Sequence, residues 1–496
     1  MASRARAFLR ASTQTTVSVP TDDSGAVGSY VDGMSRRSNI LLVALALLPA
    51  CASGSDTSAP STSPSTSTVP PVAAEVIETR VAFLVALMND PTGTDDPTLG
   101  EHFTPDFLAH VPPAAIRKAV IDATAAGTRP WTIARRNIEQ SAGQLVIESA
   151  DAQRLVIVFE LEPGSPRRIA GATIQPSLED LFTKPGTVSE ADAALRAVSP
   201  RVSYAVLDAD CAVVRELDGS RALPLGSAFK LWVLDALTRA IEAGTATWDE
   251  TITIQARYRS SPDGEVYPLA DGASVTLRRL AELMISISDN TATDHLIGRL
   301  GRSAVERVLR DLDISTVDAN TPFLTTRELF SLKFINPTLA GRYIALTTSD
   351  ARRSFLDTVV AGTPLTWPTD PGAGGAADLT RPRHIDTIEW FATPLDLCRT
   401  LVDLDRLAKR PGLAPVAEIL SINPGFPFPP QVWAEVRYKG GSEPGVFTTA
   451  HWLRAAHGMT RVVVVSLSDP EQPLDEGEAA SAVSRLLALA PSLPAA

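Results

Sequence analysis

A serine and a lysine stand three residues apart at the start of an apolar run: Ser227 and Lys230, followed by Leu231, Trp232 and Val233. Residues with this spacing share one face of a helix, about one turn apart. A serine hydroxyl is a weak nucleophile unless another group takes its proton. A lysine can take it when burial lowers the lysine pKa. The pattern therefore predicts a buried helix whose start carries a nucleophile and its base.

A second polar motif, Ser288-Asp289-Asn290, separates two segments of apolar periodicity. Such a break is typical of a loop that directs side chains into a cleft. An ordinary alternative is a helix N-cap, because all three residue types cap helices well.

A third motif, Lys439-Gly440-Gly441-Ser442, follows an alternating stretch that predicts a strand, with Lys439 at its end. Glycines at this place let a ligand approach the backbone closely. The alternative is an ordinary turn with a solvated lysine. Three such motifs in this order are much less expected by chance than any one of them.

The ordered set resembles the signature of active-site-serine penicillin-recognising enzymes, S-x-x-K, S-D-N and K-T-G. From about residue 201 onward the chain resembles class A β-lactamases and their penicillin-binding relatives. It also resembles a two-domain lipoprotein subgroup that includes the esterase of clavulanic-acid gene clusters. This resemblance implies an α+β fold for residues 201–496, with an antiparallel sheet beside an all-helical lobe. It implies a serine hydrolase that forms an acyl-serine on an ester, amide or β-lactam.

The resemblance also assigns roles to single residues. Those it places in catalysis are the nucleophile Ser227, its base Lys230, the proton relay Ser288, and Lys439, which supplies positive potential for a substrate carboxylate. Those it places in substrate binding are Asn290, Gly441 and Ser442. The backbone N–H groups of Ser227 and Ser442 are expected to form the oxyanion hole.

Two departures from the family pattern bear on function. Gly440 has no hydroxyl where the family carries one, and Ser442 is a possible substitute. The E-x-x-L-N pattern of the deacylating glutamate is not found; Glu328 is better explained as a capping box with Thr325. The acidic residues Asp378, Asp386 and Glu389 match no family motif, and none is assigned a catalytic role.

Weak β-lactam turnover is therefore expected, with ester cleavage or acyl transfer more plausible. The alternatives are a true class A β-lactamase and a non-catalytic binding lipoprotein of the cell envelope. The segments 257–268 and 364–387 are candidate pocket walls whose substrate the sequence does not reveal.

Charge and composition exclude other classes of function. The 496 residues carry a formal net charge of −12, which argues against a nucleic-acid partner because phosphate binding needs a basic surface. No His or Cys cluster has metal-ligand spacing, and no glycine-rich phosphate loop is apparent, so neither metal nor cofactor is expected. The expected partner is a small-molecule substrate, and no oligomeric state is indicated.

Residues 1–51 are predicted to be a processing segment. Arg36 and Arg37 precede an apolar run at 40–48 that is too short to span a bilayer. The sequence around Cys51 resembles a bacterial lipobox, in which the cysteine is lipidated. Translation that starts at Met34 would place the arginine pair, the apolar run and the lipobox at the N-terminus of the protein. We expect an exported lipoprotein anchored on the outer side of the cytoplasmic membrane; an ordinary secretory signal is the alternative.

The rest of the chain divides by composition and periodicity. Residues 52–73, rich in Ser, Thr and Pro, are predicted to be a disordered tether. Residues 74–177 read as two helices followed by a strand meander, a small α+β domain similar in outline to cystatin-like or ketosteroid-isomerase-like domains. Residues 178–200 are predicted to be a linker helix. Cys211 and Cys398 could form a disulfide in an oxidising compartment, but two buried free thiols are the favoured interpretation.

Overall fold

The computed structural model describes residues 71–125, 127–138, 142–162, 166–177, 181–182, 185–262, 264–367 and 380–494. The chain divides after residue 177 into two compact units. The predicted signal segment, the lipidation site Cys51 and residues 52–70 of the predicted tether lie outside the described residues. A helix already begins at Pro71, so the end of that tether is helical. Within the described part of the chain, no helix is long and apolar enough to cross a membrane.

The first unit is a group of helices followed by an antiparallel meander with strand order β1-β2-β3-β4. Its elements are α1 (Pro71–Asn89), α2 (Asp96–His102), α3 (Pro105–His110), α4 (Pro113–Thr124), β1 (Thr132–Ile138), β2 (Ala142–Glu148), β3 (Arg154–Leu161) and β4 (Ile169–Pro176). The apolar stripe of α1, with Val81 and Leu84, shares a buried core with Leu145 and Ile157 of the sheet. The α+β prediction for this segment is confirmed.

The second unit is built on a five-stranded antiparallel sheet with strand order β11-β12-β13-β5-β6. Its strands are β5 (Arg201–Leu207), β6 (Val213–Leu217), β11 (Trp433–Glu443), β12 (Val446–Ala455) and β13 (Thr460–Ser468), and the short pairs are β7 (Leu223–Pro224) with β10 (Phe391–Ala392) and β8 (Thr251–Thr253) with β9 (Ser274–Thr276). The main sheet therefore joins strands from both ends of the unit. The predicted strand after residue 432 runs on through Lys439 to Glu443, so Lys439 lies within β11 rather than at its end.

Helices cover both faces of this sheet. They are α5 (Val188–Val198), α6 (Lys230–Glu242), α7 (Leu277–Ser286), α8 (Asn290–Leu300), α9 (Arg302–Asp311), α10 (Thr326–Phe330), α11 (Pro337–Ile344), α12 (Ser349–Phe355), α13 (Pro394–Ala408), α14 (Pro415–Ser421) and α15 (Glu476–Leu489). Successive residues of β13 alternate between two cores: Val463 and Val465 pack with α5 and α15, and Val462 and Val464 with the helical lobe. The sheet is buried on both faces, which agrees with the predicted architecture.

Parts of the linker helix predicted over 178–200 are described as helical, namely residues 181–182 and helix α5. The described helix α5 begins only after Thr187, whose side chain accepts a hydrogen bond from the backbone of Glu190 while the Glu190 carboxylate accepts from the backbone of Thr187. This capping box sets the helix start.

Cys211 and Cys398 form a disulfide, with Cα atoms 6.0 Å apart. The prediction of two free thiols is wrong. Cys211 lies in the turn between β5 and β6, and Cys398 lies on α13, which packs against β5. Because 187 residues separate the two cysteines, only this helix-on-sheet packing brings them together.

Replacing both cysteines (Cys211→Ser with Cys398→Ser) is expected to lower the free energy of unfolding by about 2–5 kcal/mol, because the bridge restricts a very long loop of the unfolded chain. Urea denaturation of the double variant and the oxidised parent measures the difference. Thiol titration of the denatured parent before and after reduction is the control, with two more thiols expected after reduction. Equal thiol counts would contradict the pairing.

His451 is a buried histidine on β12, opposite Tyr438 of β11. The rings of Phe426 and Phe428 lie 5.4 and 5.5 Å from its imidazole, centroid to centroid. Burial lowers the pKa of His451 to about 3. The unfolded chain therefore binds a proton here that the folded chain does not, and the folded state loses stability as pH falls below the ordinary histidine pKa.

His451→Phe is expected to be less sensitive to acid than the parent. The parent should lose about 2–3 kcal/mol of unfolding free energy between neutral pH and pH 4.5 through this one group. Denaturation of both proteins at the two pH values gives the difference. His457→Gln is the matched control, because His457 is exposed on the next turn. A parent and a His451→Phe variant with parallel pH profiles would contradict the assignment.

Candidate active site

Ser227 lies in a tight turn, Gly226–Phe229, that connects β7 to α6 and is called the Ser227 turn below. The turn lies against strand β11. A Cβ on Gly441 would overlap the carbonyl oxygen of Leu225 and the backbone nitrogen of Ser227, and would lie 2.6 Å from the backbone nitrogen of Ala228. Only glycine at 441 permits this approach of turn and strand.

The other side of the Ser227 turn is held by Trp390. Its indole stacks on Phe229 with 3.6 Å between ring centroids, and its carbonyl oxygen accepts a hydrogen bond of 2.9 Å from the Leu225 N–H. The residues flanking Ser227 are therefore fixed from two directions, by β11 and by the segment before β10.

Lys230 is fully buried and directs its ammonium nitrogen at neutral oxygen atoms. Its Nζ lies 3.1 Å from Ser227 Oγ, 2.7 Å from the Ser288 carbonyl oxygen, 3.0 Å from Ser288 Oγ and 2.7 Å from Asn290 Oδ1. A lysine ammonium has three N–H groups. It therefore cannot donate to all four oxygens at once. When the amine is neutral, one of the two serine hydroxyl groups can donate a hydrogen bond to it, and this is the arrangement that proton transfer from serine to lysine needs.

Ser288 is placed between the two lysines by a left-handed backbone conformation, φ 61°. Its Oγ lies 3.0 Å from Lys230 Nζ and 3.1 Å from Lys439 Nζ. Asp289 fixes this loop: its carboxylate caps α8 and also accepts hydrogen bonds from the N–H groups of Glu265 and Val266. Of the Ser288-Asp289-Asn290 motif, Asp289 is thus a helix N-cap, as the alternative interpretation predicted. Ser288 is instead a neighbour of both lysines.

Asn290 is buried, and both ends of its amide are engaged. Oδ1 accepts from Lys230, and Nδ2 donates to Ser261 Oγ at 2.9 Å. In this structure the amide thus orients the lysine, a role beyond the substrate contact expected from sequence. Ser261 was not among the predicted site residues, although the segment 257–268 was predicted to wall the pocket. Trp367 of the second predicted wall donates to the Ser260 carbonyl oxygen at 2.8 Å, so the two segments contact each other.

Lys439 and the glycines after it form the edge of the sheet that faces the Ser227 turn. Lys439 Nζ lies 2.7 Å from the Gly440 carbonyl oxygen in addition to its contact with Ser288. A Cβ on Gly440 would overlap the Tyr438 hydroxyl and lie 2.8 Å from Tyr438 Cζ. The Tyr438 phenol therefore occupies the space that a threonine side chain would need, which explains why this motif carries glycine.

Ser442 is exposed at the same edge. A Cβ on Gly226 would lie 3.0 Å from the Ser442 backbone nitrogen, so the turn and Ser442 lie side by side. The structure thus brings together all seven residues predicted for catalysis or substrate binding.

The acidic residues considered in place of the family's deacylating glutamate differ in their surroundings. Glu328 forms the predicted capping box with Thr325 and an ion pair with Arg302 at 2.6 Å. Asp386 pairs with Arg201 at the surface, and Asp378 lies outside the described residues. Glu389 is buried 3.4 Å from Lys333 Nζ, in a cluster that no sequence motif indicated.

Residues 188–363 match a family model described as the Beta-lactamase enzyme family. Among solved structures, a β-lactamase from Sphaerobacter thermophilus aligns at 21% identity and a TM-score of 0.41, over 63% of this chain and 100% of that one. A protein described as PBP-A aligns at 16% identity and a TM-score of 0.41, over 61% and 96% of the two chains. A β-lactamase from Chitinophaga pinensis aligns at 16% identity and a TM-score of 0.39, over 60% and 96%. No curated protein matches the chain.

The matched segment contains Ser227, Lys230 and Ser288, and the described sheet supplies Lys439 opposite them. The order of elements, with strands from both ends of the unit around an inserted helical lobe, is the one that the resemblance implied. The second unit is therefore similar, over residues 188–363, to the Beta-lactamase enzyme family.

Proposed function

We propose that this protein is an exported serine hydrolase that works through an acyl-enzyme on Ser227. The observation that carries the proposal is the contact of Lys230 Nζ with Ser227 Oγ at 3.1 Å, inside a buried set of oxygens. A serine hydroxyl needs such a base to attack a carbonyl carbon. The substrate class is an ester, an amide or a β-lactam.

Each group has one task in the proposed acylation. Lys230 takes the proton from Ser227 Oγ while Oγ bonds to the carbonyl carbon, and the N–H groups of Ser227 and Ser442 stabilise the oxyanion. Ser288 then gives its proton to the leaving nitrogen or oxygen as that bond breaks, and takes a proton from Lys230. Lys439 provides positive potential for an anionic group of the substrate.

We further propose that the protein is lipid-anchored through Cys51 on the outer side of the cytoplasmic membrane. The lipobox-like sequence supports this. The Cys211–Cys398 disulfide also supports it, since such bonds persist in oxidising compartments.

Incubation with a fluorescent penicillin and with a fluorophosphonate tests the acyl-serine proposal. A stoichiometric adduct that maps to Ser227 and is lost in Ser227→Ala is expected. No adduct with either probe would overturn the proposal and favour the binding-protein alternative. With a chromogenic cephalosporin, a burst followed by slow turnover is expected, because the family's deacylating glutamate pattern is not found. Rapid steady turnover would instead favour a true class A β-lactamase.

A further inference from the structure

Three charged residues have no role in the proposed acylation: the buried Lys333 and Glu389, and the partly buried Glu443. Lys333 Nζ forms an ion pair with Glu443 and lies 3.4 Å from Glu389 Oε1. The side chain of Lys333 is 0% exposed and that of Glu389 1%, whereas Glu443 is 12% exposed. Two carboxylates thus share one ammonium, and Glu443 is the member of the cluster that reaches the surface.

Strand geometry directs Glu443 toward the reaction site. Alternate residues of a strand share a face, so Lys439, Gly441 and Glu443 of β11 point the same way. That face is the one that meets the Ser227 turn, because the missing Cβ of Gly441 would overlap the Ser227 nitrogen. Glu443 follows Gly441 by two residues, so its Cα lies about 7 Å along the strand from the residue that packs against Ser227.

The second carboxylate reaches the same turn from the other side. Glu389 Oε2 accepts a hydrogen bond of 2.9 Å from the N–H of Trp390, and Trp390 contacts both Leu225 and Phe229 around Ser227. Glu389 is therefore held by Trp390 and Lys333 together. Glu443 also pairs with Lys333, but its side chain is the one of the two carboxylates that solvent reaches, at 12% exposure against 1% for Glu389.

The environment of Glu443 suits a base. Burial raises the pKa of Glu443 well above its ordinary value, Lys333 opposes this rise, and the Glu389 carboxylate adds to it. A carboxylate with a raised pKa accepts a proton more readily near neutral pH.

Building on the acyl-serine proposed above, we propose that Glu443 is the base that activates water to release the acyl group. Glu443 takes one proton from the water as the water oxygen bonds to the acyl carbon. It returns that proton to Ser227 Oγ as the carbon–Oγ bond breaks. The products are the free serine and a carboxylic acid, which loses its proton to solvent. In a ring-opened β-lactam the leaving nitrogen stays attached to the acyl group and obstructs the water, so this base is expected to serve ester substrates better.

The test compares Glu443→Gln with the parent, using p-nitrophenyl acetate as the probe. The amide keeps the size of the side chain but accepts no proton from water. Release of p-nitrophenolate in the first turnover should stay within about threefold of the parent, while steady-state turnover falls by about 100-fold or more. Intact mass should show the acetyl group accumulating on the protein, and hydroxylamine, which needs no base, should restore turnover. The matched control is Glu435→Gln, since Glu435 is a partly exposed glutamate on the same strand.

The inference would be overturned if the steady-state turnover of Glu443→Gln stayed within about threefold of the parent. It would also be overturned if a folded variant lost the first-turnover burst and the steady-state turnover by the same factor. If Glu443→Gln does not fold, as judged by its thermal transition, Glu443→Asp replaces it. The shorter carboxylate keeps its charge, and an unchanged acyl lifetime would then overturn the inference. Failure of the acyl-serine proposal can be distinguished from failure of the Glu443 proposal. In the first case the parent protein itself would show no burst, and it would form no adduct that depends on Ser227.

Discussion

Lys230→Met is expected to slow acylation of Ser227 by about 1,000-fold, within the range that general acid–base groups contribute. The reason is that Lys230 Nζ is placed 3.1 Å from Ser227 Oγ, where the proposed mechanism needs a proton acceptor. Lys230→Arg is expected to lose a similar factor, because a guanidinium keeps the charge but does not accept a proton. Stopped-flow measurement of the first turnover with a fluorescent penicillin gives the rate.

The matched control for Lys230 is Lys409→Met, which removes a mostly exposed lysine whose ammonium pairs with Asp405. This variant should acylate at the parental rate. The stability of Lys230→Met must also be measured by thermal unfolding, because Asn290 Oδ1 and the Ser288 carbonyl oxygen lose their hydrogen-bond donor. Each buried group left unsatisfied is expected to lower the free energy of unfolding by about 1–3 kcal/mol. A folded Lys230→Arg variant that acylates normally would show that positive charge, rather than proton transfer, is what position 230 supplies.

Gly441→Ala is expected to lower turnover by about 100-fold or more, the usual effect of losing one oxyanion donor. The added methyl group would overlap the Leu225 carbonyl oxygen and the Ser227 nitrogen, and both are backbone atoms that cannot rotate away. The Ser227 turn must therefore move away from β11, and the N–H groups of Ser227 and Ser442 would no longer converge. The strain should also lower the unfolding free energy by about 1–3 kcal/mol.

Gly341→Ala is the matched control in the same unit. Position 341 lies in helix α11, and a Cβ there would meet no atom within 4 Å. This variant should keep full activity and gain about 0.5–1 kcal/mol of stability, because alanine is the better helix former. Full turnover of Gly441→Ala with an intact acyl-enzyme burst would contradict the proposed oxyanion site.

Much of the candidate site could be predicted from local patterns. Ser227 and Lys230 share one helical turn, so their contact depends only on helix geometry. Ser288 and Lys439 were placed by their motifs, since a polar break between helices and a glycine-flanked lysine on a strand are both readable from sequence. The capping box of Glu328 with Thr325 was readable for the same reason, because its spacing is local.

Other features depend on contacts between distant segments and left no local pattern. The disulfide joins a turn to a helix 187 residues away, and free thiols were predicted in its place. Ser261 contacts Asn290 across 29 residues of sequence, and the Asp289 carboxylate ties the same loop, at 265–266, to the start of α8. Lys333, Glu389 and Glu443 come from three separate segments, and buried charges without a motif cannot be distinguished in sequence from surface ones.

The sequence by itself determined the chemistry that is available, namely a serine and a lysine one turn apart, a Ser-Asp-Asn loop and a lysine–glycine strand. Those groups could be read because helical and strand periodicity fix the spacing of near neighbours. The tertiary structure decided that Tyr438 fills the space at Gly440, that Asn290 orients Lys230, and that Glu389 and Glu443 share the buried Lys333. These contacts depend on which distant segments pack together, and that packing is determined by the whole chain rather than by any single segment.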